Sequence, residues 1–263
     1  MLVDLKILIT GGNGYIARGF YNNFTDKYNI TTTTRQNFDL SSYDATCEWF
    51  NERHFDVVLH TAIAGGSRLQ EDDSAVLQQN LAMYNNLRAN RPHFKRLISF
   101  GSGAELHHGY TPYANSKREI ADSIENTEEF YNLRIFGVFD HNELNTRFIK
   151  SNIIRYLKKE SMIIHANKIM DFYYMDDLIS LVDKYILESN LPKTINCSYE
   201  SKFTLREIAN HINNLDDYTV PVVVENKKDL EFYCGNAHEI DYNEVGLVTG
   251  IQHTYRKLKQ GFI

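Results

Sequence analysis

Cysteine is scarce in this chain: Cys47, Cys197 and Cys234 are the only three in 263 residues, far apart and in no CxxC-type spacing. An odd count in a long chain argues against a disulfide framework, and reduced thiols point to a cytoplasmic setting. Long apolar runs are missing as well. Met1–Leu2–Val3 and Ile7–Leu8–Ile9 are interrupted by Asp4 and Lys6 and then by glycine, so neither a signal peptide nor a membrane span is expected. There is no basic surplus, since 28 Lys and Arg stand against 34 Asp and Glu for a net charge of −6. Nucleic-acid binders carry a basic footprint, and the cations here are scattered without a run that suits a phosphate backbone or a membrane surface. Neither an internal repeat nor a low-complexity linker is visible. What is there is ordinary for a globular enzyme: 43% hydrophobic and 24% charged residues, on a chain long enough to bury a core without staples.

Strand and helix patterns alternate over the first 140 residues. Leu5–Thr10 is an apolar run that stops in Gly11–Gly12–Asn13–Gly14 and resumes as a helix from Tyr15 to Phe24. Strands are expected at Asn29–Thr34, Phe55–Thr61, Phe94–Gly101 and Leu133–Phe139. Helices are expected from the cap at Ser41–Ser42 to Arg53, over Ser74–Ala89, and from Pro112, where a missing N–H is harmless. That alternation implies a parallel sheet wound on both sides. The rest reads as helices at Thr146–Lys159, Asp177–Leu187, Thr204–Ile212 and Ile251–Lys259, with strands at Ile169–Tyr174, Thr194–Cys197 and Val220–Val224. The expected division is 1–160 for a dinucleotide-binding domain and 161–263 for a small lobe over the sheet's carboxyl edge, interleaved with the first in a single compact unit.

Gly11, Gly12 and Gly14, with the small Ala17, lie between the first strand and the first helix. Glycine lets the backbone approach a pyrophosphate, whose charge the helix N-terminus stabilises. The alternative is a glycine-rich turn of no further use. NAD sites place a carboxylate after the second strand, whereas this chain has Thr33–Thr34–Arg35 and no acid before Asp39. Arg35 suits a 2′-phosphate and favours NADP over NAD, unless it is a solvated surface residue.

Tyr113 and Lys117, four apart inside a helix, share one face. An ammonium near a phenol favours the phenolate, which makes Tyr113 a candidate acid/base for interconverting carbonyl and alcohol. Ser102, at the end of the fourth strand, could hydrogen-bond the substrate oxygen. Alone, a Tyr-x-x-x-Lys pair is most often a surface pair; its place after the fourth strand and downstream of the glycine loop gives it weight.

Several segments resemble the extended short-chain dehydrogenase/reductase superfamily: TGGNGYIA (Thr10–Ala17), FDLSS (Phe38–Ser42), VVLHTAIAGGS (Val57–Ser67), SFGSGAE (Ser99–Glu105), PYANSK (Pro112–Lys117), LRIFGVFD (Leu133–Asp140) and FYYMDDL (Phe172–Leu178). The resemblance is to its NAD-dependent epimerase/dehydratase branch, and AGGS at Ala64–Ser67 looks most like the GDP-fucose synthase type of ketoreductase. It implies an α/β fold, a Rossmann-type doubly wound parallel sheet with a small C-terminal α+β substrate lobe. It implies a catalytic set of Ser102, Tyr113 and Lys117. Gly11, Gly12, Asn13, Gly14, Tyr15, Ile16, Arg35, Asp39, Leu40, Thr61, Ala62, Ile63, Asn80 and Phe136, with Tyr113 and Lys117, would bind the cofactor. Ser67, Arg68, Gly103, Ala104, His107 and Arg147 would face a nucleotide-sugar substrate.

Some positions depart from the family pattern. Where epimerising relatives carry a cysteine and a histidine, this chain has Ala104 and Arg147, so reduction of a 4-keto sugar fits better than epimerisation at C3 and C5. Ala17 replaces the third loop glycine, Met170 stands where relatives often have arginine, and only ten residues separate Ser102 from Tyr113. His107 and His108 lie in that short loop and lack the further ligands a zinc site wants, which leaves a solvated loop or a substrate contact. Arg147 and Lys150 share a helix face that either contacts a diphosphate or is simply polar. The leading expectation is an NADPH-dependent ketoreductase. The rivals are a 4-epimerase with retained NAD and a non-catalytic dinucleotide sensor. Relatives dimerise through helices corresponding to about 78–90 and 113–124, so a homodimer is implied; no metal, nucleic acid or membrane partner is expected.

Overall fold

The computed structural model describes residues 4–66, 71–107 and 109–261, the side chains of 227–230 excepted. In chain order the elements begin β1 (Lys6–Thr10), α1 (Tyr15–Phe24), β2 (Asn29–Thr33), α2 (Tyr43–Phe50), β3 (Phe55–His60) and α3 (Ser74–Ala89). A 3-10 turn at Arg91–His93 leads to β4 (Phe94–Ser102), the one-turn α4 (Ala104–His107), α5 (Pro112–Glu125) and β5 (Phe130–Ile135). Then follow β6 (Val138–Phe139), α6 (Phe148–Leu157), β7 (Met162–Met170), β8 (Tyr173–Tyr174), α7 (Met175–Leu187), β9 (Thr194–Cys197), α8 (Leu205–Asn213), β10 (Val222–Tyr233) and α9 (Leu247–Gln260).

Residues 1–134 with 182–195 form one compact unit, and 135–181 with 196–263 form a second. The chain thus crosses from one unit to the other more than once. The first unit is built on a six-stranded sheet in the order β2-β1-β3-β4-β5-β9. β1 pairs in parallel with β2 on one side and β3 on the other, and β3 pairs in parallel with β4. Strand order thus reverses beside β1, the place where such sheets open a crevice at their carboxyl ends. β1 and β3 are buried almost throughout, as their continuous apolar runs require of strands covered on both faces. Phe50, Tyr84, Leu87, Leu97 and Phe130 belong to a core cluster on one side of this sheet.

Local chemistry places the helix ends. Ser42 accepts from the Ala45 amide at the start of α2, Asp73 accepts from Ala75 and Val76 at α3, and Thr111 accepts from Ala114 at α5. Pro112 occupies the first turn of α5, as expected.

The second unit holds two small parallel pairs, β7 with β10 and β6 with β8, together with helices. Two expected strands come out divided here. Leu133–Phe139 becomes β5 and β6, in different sheets, because Phe136 and Gly137 leave the extended path. Ile169–Tyr174 becomes the end of a longer β7 and the separate β8, divided at Asp171–Phe172. β10 runs well past Val224, and α9 begins at Leu247, four residues before the expected start.

Candidate active site

The glycine turn follows β1 directly, and its shape depends on missing side chains. Gly11 has φ +68°, and a Cβ there would lie 2.7 Å from the Ala62 Cα. The Gly12 amide donates to the Thr33 carbonyl at 2.8 Å and the Gly14 amide to the Gly11 carbonyl at 2.8 Å, closing a tight loop with Gly14 as N-cap of α1. Gly14 brings no side-chain cap to that N-terminus, and Tyr15 and Ile16 open the helix while Ala17 is buried beneath it. A helix start beside Gly11, which admits no Cβ, fits a pyrophosphate.

Thr10 joins this loop to the next. Its hydroxyl lies 3.0 Å from Nδ1 of His60 and accepts from the Ala62 amide at 3.2 Å, while the Thr61 hydroxyl donates to the Thr10 carbonyl at 2.5 Å. Gly11, Thr61, Ala62 and Ile63 are therefore fastened together at the strand-order reversal. A cavity of about 220 Å³ opens there, lined by Gly11, Asn13, Arg35, Phe38, Asp39, Leu40, Ala62, Ile63 and Met83, among others. Exposed Arg35 lines the cavity, as does Asp39, whose carboxylate is already engaged. Its Oδ1 accepts from the Ser41 amide at 2.9 Å and hydroxyl at 2.7 Å. Those bonds, then the Arg35 charge, hold the Asp39 carboxyl below the usual range.

Asn80 is buried on α3 and fully occupied. Its Oδ1 accepts from the Ala64 amide at 2.8 Å, and its Nδ2 donates to the Ala64 carbonyl and the Ser116 hydroxyl, each at 3.0 Å. The residue clamps the segment after β3 to α5, supporting the site without presenting its amide to it. Beyond the clamp, Gly66 (φ +72°) lies so close to the Tyr113 ring that a Cβ would stand 2.7 Å from its Cε2.

Tyr113 and Lys117 lie on one face of α5, with Lys117 Nζ 5.8 Å from the Tyr113 ring centroid. Lys117 is buried and donates to the Phe100 carbonyl at 2.6 Å. Burial pulls its ammonium down to about 8, a drop that the charge of Glu105 opposes. His60, also buried, is pulled down to about 3 by desolvation and then by the Lys117 charge, so its imidazole stays neutral. Ser102 ends β4, and its Oγ accepts from the Ala104 amide at 3.2 Å, starting α4. Gly103 and Ala104 are buried in that turn, and His107 is exposed at its end.

Other expected residues fall differently. Ser67, Arg68 and His108 lie outside the described residues. Phe136, in the second unit, packs edge-on against Tyr233 at 5.5 Å. Arg147 is exposed at the N-cap of α6, whereas Lys150 does not share a polar face with it: Lys150 is buried and donates to the Glu143 carbonyl at 2.5 Å. His60, Thr10 and Glu105 were not singled out from the sequence. The signals were present as a histidine inside an otherwise apolar strand and an acid three residues after the serine. Among the described residues, no three His, Cys, Asp or Glu side chains converge as a metal site would need, and no helix is long and apolar enough to cross a membrane.

A model of the NAD dependent epimerase/dehydratase family matches residues 7–198. No curated protein matches the sequence significantly. Among solved structures, a GDP-mannoheptose C4 reductase from Campylobacter jejuni with NADP bound is similar at 19% identity, covering 98% of this chain and 99% of that one with a TM-score of 0.76. A GDP-L-fucose synthetase from Naegleria fowleri bound to NADP is similar at 16% identity, 100% and 95% coverage and a TM-score of 0.76. A UDP-N-acetylglucosamine 4-epimerase from Methanobrevibacter ruminantium in complex with UDP-N-acetylmuramic acid is similar at 18% identity, 99% and 100% coverage and a TM-score of 0.77.

Proposed function

Because the chain belongs to the NAD dependent epimerase/dehydratase family, and so is an NAD(P)-dependent enzyme of the extended short-chain dehydrogenase type, we propose that it is an NADPH-dependent reductase of a nucleotide-linked 4-keto-6-deoxy sugar. The observation that carries the reading is the pairing of a buried Lys117 ammonium with Tyr113 on α5, beside a serine that ends β4. When bound, the nicotinamide cofactor supplies the hydride. Tyr113 gives its phenolic proton to the sugar oxygen, Ser102 donates a hydrogen bond to that oxygen as charge develops, and Lys117 favours the phenolate left behind. Gly11, Gly12 and Gly14 hold the pyrophosphate, and Thr61, Ala62 and Ile63 line the same cleft.

NADP over NAD is supported by the cavity wall, where Arg35 is exposed and Asp39 has its carboxylate engaged by Ser41. Reduction over epimerisation at C3 and C5 is supported by Ala104, a buried side chain with no group to exchange a proton. The Campylobacter and Naegleria enzymes, by their names a GDP-sugar C4 reductase and a GDP-fucose synthetase, point to a nucleotide-linked sugar. Likeness to a UDP-sugar 4-epimerase keeps a second reading in view, in which NAD is retained and the hydride returns to the sugar. A homodimer through α3 and α5 and a cytoplasmic setting belong to the same proposal, on the family resemblance.

The test is NADPH oxidation with GDP-, dTDP- and UDP-linked 4-keto-6-deoxy sugars, beside NADH and a Tyr113→Phe variant. Turnover that requires NADPH and vanishes in the variant is the expected result. Tightly bound NAD with no net oxidation would move the weight to the epimerase.

A further inference from the structure

Behind Ser102 lies a carboxylate that the chemistry above does not use. Glu105, on α4, is buried, and its two oxygens face different partners. Oε1 accepts from the Ser102 backbone amide at 2.8 Å. Oε2 accepts from Asn132 Nδ2 at 3.2 Å and forms an ion pair with Nε of Arg134 on β5. The Glu105 carbonyl accepts from Arg118 Nε at 2.9 Å, tying α4 to α5. Gly101 makes room for the arrangement, because a Cβ there would collide with the Glu105 and Asn132 side chains. Burying a carboxylate is costly unless it is paired and hydrogen-bonded, and here one helical turn carries it beneath the proposed catalytic serine.

We propose that Glu105 is a positioning residue for the catalytic set, fixing Ser102 through its backbone amide and presenting a negative charge to the Lys117 ammonium. The inference rests on the reductase reading only for the rate it affects; the contacts stand by themselves. The opposition of Glu105 to the burial of Lys117 agrees with this role. The charged or titratable groups near Lys117 on the packed elements are Tyr113 and Arg118 on its own helix, Glu105 on α4, Arg134 on β5 behind Glu105, and His60 on β3. His60 stays neutral, and Arg134 is paired with Glu105. Burial lowers the Lys117 ammonium, and Glu105 is the charge that works against that burial. Sequence alone did not reveal this, because Arg134 lies 29 positions away and meets Glu105 only once β5 joins the sheet.

The test uses the full chain with ¹³C-labelled lysine, Lys117 being assigned through Lys117→Arg, and follows the Lys117 Cε resonance against pH. Glu105→Gln keeps an acceptor for the Ser102 amide but loses the charge, and the Lys117 midpoint is expected to fall by about one pH unit, a tenfold change in proton affinity. Arg134→Met removes the cation paired with Glu105 and is expected to move the midpoint the other way, which supplies the answer if Glu105→Gln does not fold. Glu105→Asp should leave it near the wild-type value. In parallel, the alkaline limb of NADPH oxidation with GDP-4-keto-6-deoxymannose should shift with the same sign in each variant. A midpoint unmoved in folded Glu105→Gln, or moved the same way in Glu105→Gln and Arg134→Met, overturns the proposal. If the wild type does not oxidise NADPH, the reductase reading fails while the resonance still decides the role of Glu105.

Discussion

At the scale of single residues, two buried bases make stability fall as pH falls, and one of them sets activity against stability. Lys117 ionises near 10.5 when unfolded and at about 8 in the fold, so its contribution to stability is complete above the first value and is lost as pH falls to the second. The proposed chemistry needs the ammonium, so activity should decline above pH 8 while stability gains. A pH–rate profile set beside a pH–melting profile checks this divergence. His60 behaves similarly at acid pH: protonation in the unfolded chain near 6.5, against about 3 in the fold, removes stability between those values. His60→Gln should flatten the acid limb of the melting profile. Gly11→Ala puts a Cβ where φ is +68° and Ala62 is 2.7 Å away, with a strain of roughly 1–2 kcal/mol. NADPH affinity by fluorescence titration should drop about tenfold or more.

At the scale of elements, the segment after β3 depends on α3, the helix that follows it. Asn80→Leu would strip both Ala64 backbone groups of their partner, at about 1–3 kcal/mol for each buried group left unsatisfied. Melting temperature should fall and kcat with it, since Gly66 beyond the same segment packs on Tyr113. The outward faces of α3 and α5 bear on the proposed dimer. They present Gln78, Gln79, Asn85 and Arg88 on α3, and Glu119, Asp122 and Glu125 on α5. A dimer joined through such faces would be held by polar contacts, and light scattering should find it dissociating as salt rises.

Legibility from sequence followed the same physics at this scale. α1, α3 and β9 have the boundaries expected, because caps, glycine and buried periodicity all agree at their ends. Leu133–Phe139 read as one strand because Phe136–Gly137 is as apolar as its flanks, and only pairing with different partners divides it. In the site, the glycine turn and the Tyr113–Lys117 spacing are local signals. The engagement of Asp39 by Ser41, the clamp at Asn80 and the pairing of Glu105 with Arg134 depend on backbone turns or tertiary neighbours, which periodicity does not encode.

At the scale of the whole molecule, the central claim is that a Rossmann-type sheet delivers a hydride to C4 of a nucleotide-linked sugar while Tyr113 handles the proton. The most direct measurement is mass spectrometry of the sugar product after turnover with both stereoisomers of [4-²H]NADPH and GDP-4-keto-6-deoxymannose. One deuterium at C4 from a single stereoisomer, with no product from Tyr113→Phe, is the expected result. Product without deuterium from either isomer, or turnover undiminished in Tyr113→Phe, would contradict it.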